Sequence, residues 1–188
     1  EISALLREKP TLVHSSLWGG DLQAFVLQAS ARNMHKRSQI ALSAGDHVMP
    51  QLGKKMPDGI ILGARGVNGL AAKALGGELT ETLWAAYEKE HNVIPVQAPF
   101  RMWQALLGLK TAVEKAMADN GGKKPNAEQL AAAMKGSSWE APSGKITMAL
   151  GDGHQAIQPN AIGKTHWDEA KQQMTLIDLE YYKPECVN

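Results

Sequence analysis

The sequence predicts an α/β fold, and three observations carry that reading. The stretch "TLVHSSLWGGDLQAF" at residues 11–25 is an apolar strand ending in Ser15, Ser16 and Trp18; it turns on Gly19-Gly20 and enters a helix through Asp21. Two further short apolar runs, "RSQIALSAGD" and "DGIILGARG", follow with helical segments between them. Crossovers of that length join parallel strands, and their hand is right-handed. After Gly66 the pattern changes: long helical runs come first, then a stretch that alternates as β from Trp139 onward.

Taken in order, "EISALLREK" places Ile2, Leu5 and Leu6 on one helical face, and Pro10 stops it. Residues 11–17 form the first strand, after which Leu22, Phe25, Val26 and Ala29 repeat at helical spacing. "RSQIALSAGD" is the second strand, closing in a Gly45-Asp46 loop, and "HVMPQLGKKM" is a weak helical segment interrupted by Pro50 and Gly53. An Asp-Gly turn launches the third strand, "DGIILGARG". "VNGLAAKALGGE" is small and glycine-rich and reads as a connector. "TETLWAAYEKEHN" is a helix with an incomplete capping box at Thr80. The longest helix, "APFRMWQALLGLKTAVEKAMADNGG", carries Met102, Ala105, Leu106, Leu109, Val113 and Ala116 as its core stripe and ends on Asn120-Gly121-Gly122. "NAEQLAAAMKGSS" is one more helix, opened by Asn126 and closed by Gly136, and "GKITMALGDGHQAIQPNAIGKT" and "MTLIDLEYY" are β.

Composition excludes several functions. The 188 residues are 44% apolar and 21% charged with a net charge of +1, the profile of an ordinary globular chain with no electrostatic case for nucleic acid. No run reaches the roughly 18 apolar residues of a membrane-spanning helix. Cys186 is the one cysteine, so the chain builds no internal disulfide. Its six histidines never pair at i, i+4, which argues against a zinc site; no metal or cofactor is expected. Gly63, Gly66 and Gly69 form GxxGxxG, not the dinucleotide fingerprint, and no GxSxG elbow supports a nucleophilic triad.

What remains are the loops at strand C-termini, "SLWGGD" and "SAGDHV", because ligands of open parallel sheets bind outside those ends. Trp18 there is either a ligand wall or a half-buried packing residue, since an indole offers both apolar area and an N–H donor. Asp46 either receives a ligand ammonium or caps the next segment.

"EISALLREKPTLVHSSLWGGDLQAFVLQA" resembles the second lobe of the leucine/isoleucine/valine-binding proteins, the type I periplasmic solute receptors of ABC transporters. "ETLWAAYEKEHNVIPVQAPFRMWQALLGLKTAVEKA" is similar to the helical segment of their first lobe that follows, and "LAAAMKGSSWEAPSGKITMALGDGHQAIQPNAIGK" to the hairpin and closing crossing. The resemblance covers essentially the whole chain. It implies part of a two-lobed fold of parallel sheets flanked by helices, with residues 1–66 and 153–188 in lobe two and 67–152 in lobe one. It also implies the C-terminal half of a receptor, with half of the ligand cleft ahead of position 1 and no signal sequence in this chain. On this map Trp18 lines the cleft, Asp46 meets the ligand's ammonium, and Phe100 and Arg101 face the cleft from lobe one. An arginine there favours an anionic ligand by bidentate pairing; read locally, it is a solvated first-turn charge.

The function the resemblance implies is a periplasmic receptor, not an enzyme. It takes an amino acid, an amide or a related carboxylate and passes it to an inner-membrane ABC permease, with no cofactor and no nucleic-acid partner. A sensory module of the same fold, acting on a protein partner, is the alternative. An isolated half-fold exposes a sheet edge and an apolar face, so self-association of the chain is a further expectation.

Overall fold

The computed structural model describes residues 1–63 and 65–186; Ala64, at the end of the third apolar run, and Val187 and Asn188 lie outside the described residues. The chain divides into two compact units. Among the described residues, one comprises those of 1–65 with 161–181, the other 66–160 with 182–186.

The first unit opens with helix α1 (Ile2–Glu8), which ends on Lys9 in the left-handed conformation just before Pro10. Strand β1 (Leu12–Ser15) buries Val13 and Ser15 and exposes their neighbours, the alternation of a strand covered on one side. Helix α2 (Gly19–Ala31) follows and turns Leu22, Val26 and Ala29 inward at helical spacing. Strand β2 (Gln39–Leu42) buries Ile40 and Leu42. In the weak helical segment, α3 (Met49–Leu52) carries Pro50 in its first turn, so this proline starts the helix; it does not interrupt it. Strand β3 (Ile61–Gly63) completes a parallel trio, with Val13 opposite Ile40 and Leu42 opposite Leu62.

The second unit begins with α4 (Gly69–Leu75). The expected connector is therefore a helix, because Leu70, Ala71, Ala72, Ala74 and Leu75 are strong helix formers whose preference outweighs the flanking glycines. Helix α5 (Glu78–His91) starts after Gly77, two residues before the expected cap. Thr80 is buried inside its first turn, and its hydroxyl donates to the Pro142 carbonyl at 2.8 Å. Helix α6 (Gln97–Asp119) buries Phe100, Gly108, Ala112 and Ala116, while Met102, Leu106 and Leu109 are 63, 54 and 45% exposed. The expected core stripe is thus mostly the outer face. Beyond Phe100, small residues form the inner face, and Ala112 and Ala116 meet Ala133 of helix α7 (Ala127–Met134) with Leu130 and Met134 around them. Asn126 caps α7 with a complete capping box: its Oδ1 accepts from the Gln129 N–H while the Gln129 side chain accepts from its own N–H. Strands β4 (Ser138–Ala141), β5 (Gly144–Leu150) and β6 (Gln155–Ile157) form an antiparallel three-stranded sheet.

The chain then returns to the first sheet. Strand β7 (Asn160–Asp168) pairs antiparallel with β3, Ile61 opposite Lys164, and β8 (Gln173–Tyr182) lies beside β7. The order in the sheet is β1-β2-β3-β7-β8. Gly63 sits at the tightest point of this return: at φ 138°, a β-carbon there would lie 2.3 Å from the Ala161 carbonyl oxygen. No other residue fits that backbone and that gap.

Candidate functional site

The parallel trio points its C-terminal ends at one edge, and the loops after β1 and β2 meet there. Ser15 faces inward; its carbonyl accepts from the Ser43 N–H at 3.0 Å, and its hydroxyl accepts from the Leu17 N–H at 3.2 Å. His14 Nε2 and the Ser43 hydroxyl are 2.9 Å apart. These bonds hold the 15–18 loop against the 43–48 loop.

Trp18 is the N-cap residue of α2, in extended conformation, and its side chain makes no capping bond. Gly19 follows in the left-handed region at φ 55°, which lets the chain turn sharply into the helix. The Gly19 N–H donates to His47 Nε2 at 2.9 Å. Above that bond the rings of Trp18 and His47 stack, with centroids 3.9 Å apart and planes 16° from parallel. Trp18 nevertheless keeps 47% of its surface exposed.

The second loop is a turn closed by the Val48 N–H on the Gly45 carbonyl at 3.1 Å, with Asp46 and His47 at its centre. Gly45 packs so tightly that a β-carbon would fall 2.7 Å from Leu62 Cδ1. Asp46 is buried, with 7% of its surface accessible. Burial pushes its carboxyl up to about 6, and bonds from the backbone N–H groups of His47 and Asp46 itself only partly offset this. Burial also lowers the His47 pKa. With Nε2 already accepting from Gly19, the imidazole is neutral and carries its proton on Nδ1, a buried atom with no hydrogen-bond partner among the described residues.

The structure thus brings Trp18 to the turn that holds Asp46. Phe100 and Arg101 belong to the other unit, in the first turns of α6. Phe100 is wholly inaccessible and offers no surface to a ligand. Arg101 is half-buried, and its Nη1 donates to Gln158 Oε1 at 2.5 Å. Beside that pair, the Gly66 N–H donates to Asn160 Oδ1 at 3.0 Å, and Asn68 Nδ2 donates to the Gly66 carbonyl at 3.3 Å. Arg101 is therefore a member of a polar cluster, not the solvated charge of the local reading.

His47 and Gln158 were not singled out from the sequence. His47 had one available signal, its place directly after Asp46 in a strand-end loop. Gln158 had none, because its partner Arg101 lies 57 residues away. Among the described residues no group of three or more His, Cys, Asp or Glu side chains is placed to hold a metal ion. No helix among them is long and apolar enough to cross a membrane.

Comparison with solved structures places this architecture. An ABC-type branched-chain amino acid transporter protein from Rhodopseudomonas palustris CGA009 superposes with a TM-score of 0.68 at 23% identity, covering 94% of this chain and 44% of that one. A solute-binding protein of an ABC transporter from Rhodopseudomonas palustris BisB5, in complex with 3,4-dihydroxybenzoic acid, gives 0.70 at 20% identity, covering 97% and 48%. A leucine-binding protein from Thermotoga maritima MSB8 gives 0.64 at 15% identity, covering 98% and 48%. At these identities the likeness establishes the fold, and the chain spans a little under half the length of the proteins it matches. No curated protein sequence matches it. The family model described as "Periplasmic binding protein" matches residues 1–171. With that match over nine-tenths of its length and the type I fold of its structural neighbours, the chain belongs to the periplasmic binding protein family.

Proposed function

We propose that this chain is part of an extracytoplasmic solute receptor that delivers its ligand to an inner-membrane ABC permease. The observation that carries the reading is the strand-end edge of the first unit, where an exposed indole stands beside a turn holding a buried carboxyl. Such an edge is where open parallel sheets hold ligands, and the family match supports binding as its use. On this reading the first unit is part of lobe two and the second part of lobe one. The ligand is an amino acid, an amide or a related carboxylate. Trp18 supplies a stacking or apolar wall, and Asp46, once ionised, meets a ligand ammonium. Arg101 is the partner for a ligand carboxylate, which would have to displace the Gln158 amide to reach it.

Calorimetry of the intact protein against amino acids, amides and aromatic acids tests the proposal. Binding of one class, weakened tenfold or more by Trp18→Ala or Asp46→Asn, is the expected result. A folded protein that binds none of them, or whose affinity ignores both substitutions, overturns it.

A further inference from the structure

The stack of Trp18 on His47 has two unequal sides. His47 covers one face of the indole at 3.9 Å, while Trp18 as a whole keeps 47% of its surface exposed. An exposed tryptophan on a loop ordinarily samples several rotamers. This one is held by a ring whose own orientation is pinned: the Gly19 N–H occupies His47 Nε2, and Gly19 is the residue after Trp18. The 43–48 turn that carries His47 is fixed in turn by its contact with Leu62 and by the Val48–Gly45 bond. The result is a flat, rigid π surface presented outward, with its backing ring kept neutral by the bond it accepts. Flat surfaces of this kind reward ligands that are flat themselves, because offset stacking gains attraction beyond area burial, whereas a branched aliphatic chain gains only the area.

We propose that His47 is a positioning residue that locks Trp18 as a stacking platform, and that the site on this unit takes a planar, π-conjugated ligand such as an aromatic acid in preference to a branched aliphatic amino acid. This deepens the receptor reading above and rests on it. His47 itself touches no ligand; it acts through the indole.

The test compares benzoate, 4-hydroxybenzoate and leucine as probes, by calorimetry on the intact wild-type protein and on His47→Asn, His47→Phe and Trp18→Leu. The asparagine variant removes the ring and the phenylalanine variant keeps one; both remove the Nε2 acceptor of the Gly19 N–H, so the difference between them reads the ring alone. Wild type is expected to bind a benzoate more tightly than leucine. His47→Asn should weaken the benzoates roughly three- to tenfold while leaving leucine within about twofold. His47→Phe should retain most of the planar preference, and Trp18→Leu should abolish it. The Trp18 indole N–H resonance, recorded without any ligand, should broaden or shift in His47→Asn and not in His47→Phe. A wild-type protein that binds leucine but no benzoate overturns this proposal and leaves the receptor reading standing; failure of every solute overturns both. Equal losses for benzoate and leucine in His47→Asn also overturn it, since a merely structural role would weaken both alike.

Discussion

Thr165 and Ile60 bond each other twice across 105 residues of sequence: the Thr165 N–H donates to the Ile60 carbonyl at 2.9 Å, and the Ile60 N–H donates to the Thr165 hydroxyl oxygen at 3.0 Å. The same hydroxyl donates to the Pro57 carbonyl at 2.7 Å, and Thr165 is fully buried. One side chain therefore satisfies a donor and an acceptor at the foot of β3 and ties the returning strand β7 to it. Replacing the hydroxyl by a methyl leaves both groups buried and unpaired. Thr165→Val should cost about 1–3 kcal/mol in urea denaturation, with Thr165→Ser recovering most of it. An unchanged midpoint for Thr165→Val would show that these bonds do not hold the return.

Gly108 offers a second case in the other unit. A β-carbon there would sit 2.6 Å from Trp139 Cζ2, and the indole is anchored by its N–H on the Gln104 carbonyl at 3.0 Å. Alanine normally gains about 1 kcal/mol over glycine within a helix. Here overpacking against a fixed ring outweighs that gain, and Gly108→Ala should destabilise by roughly 1–3 kcal/mol. Thermal unfolding with tryptophan fluorescence reads both the loss and the displaced ring; a stabilised variant would refute the contact.

Asp46 makes stability depend on pH. Burial pushes its carboxyl up to about 6 in the folded protein from an ordinary value of about 3.8, so between these the folded state holds a proton that the unfolded state has released. Stability from this group is complete below about pH 4 and falls as pH rises toward 6, up to about 3 kcal/mol in all. Asp46→Asn should therefore be the more stable protein at pH 7 by roughly 1–3 kcal/mol, the difference closing below about pH 4. Denaturant titrations at pH 4 and pH 7 check this, and a gap that widens on acidification would reverse the assignment. A ligand ammonium that meets Asp46 favours the ionised carboxylate, so its binding near pH 6 should release a proton, visible as a buffer-dependent enthalpy.

The outer face of α6 bears on the state of the chain in solution. Met102, Leu106 and Leu109 project at helical spacing and stay exposed, and a contiguous apolar stripe of this kind promotes association. The 188-residue chain should sediment as a concentration-dependent oligomer, and Leu106→Glu should shift it toward monomer with folding stability changed by less than about 0.5 kcal/mol. A strictly monomeric wild type would remove this expectation.

Much of this architecture was legible in the sequence where a single period dominated. Residues 11–17 and the run about Ile40 read as short apolar strands, and Leu22, Val26 and Ala29 repeat at helical spacing, so the βαβ start was readable. The same reasoning failed on α6, because size was taken for burial. Beyond Phe100, its inner face is Gly108, Ala112 and Ala116, small residues that let Trp139 and α7 approach closely, while Met102, Leu106 and Leu109 lie outside. It failed again at Gly69–Leu75, where glycines at both margins hid a run of good helix formers. Of the candidate site, Trp18 and Asp46 followed from strand-end logic. The stacking of His47 on Trp18 joins positions 29 apart through two loops, and no local pattern encodes such a meeting.

The pairing of β3 with β7 has a consequence for synthesis. The ribosome releases Ile61 long before Lys164, and in the interval the nascent β1–β3 ends at an unsatisfied margin while 95 residues of the other unit emerge. Closing that gap demands a long loop whose entropy grows only slowly with length, so the inserted unit can fold first and shorten the effective distance. A chain arrested before β7 would thus carry an open hydrogen-bonding border, the stage at which a holding chaperone matters most.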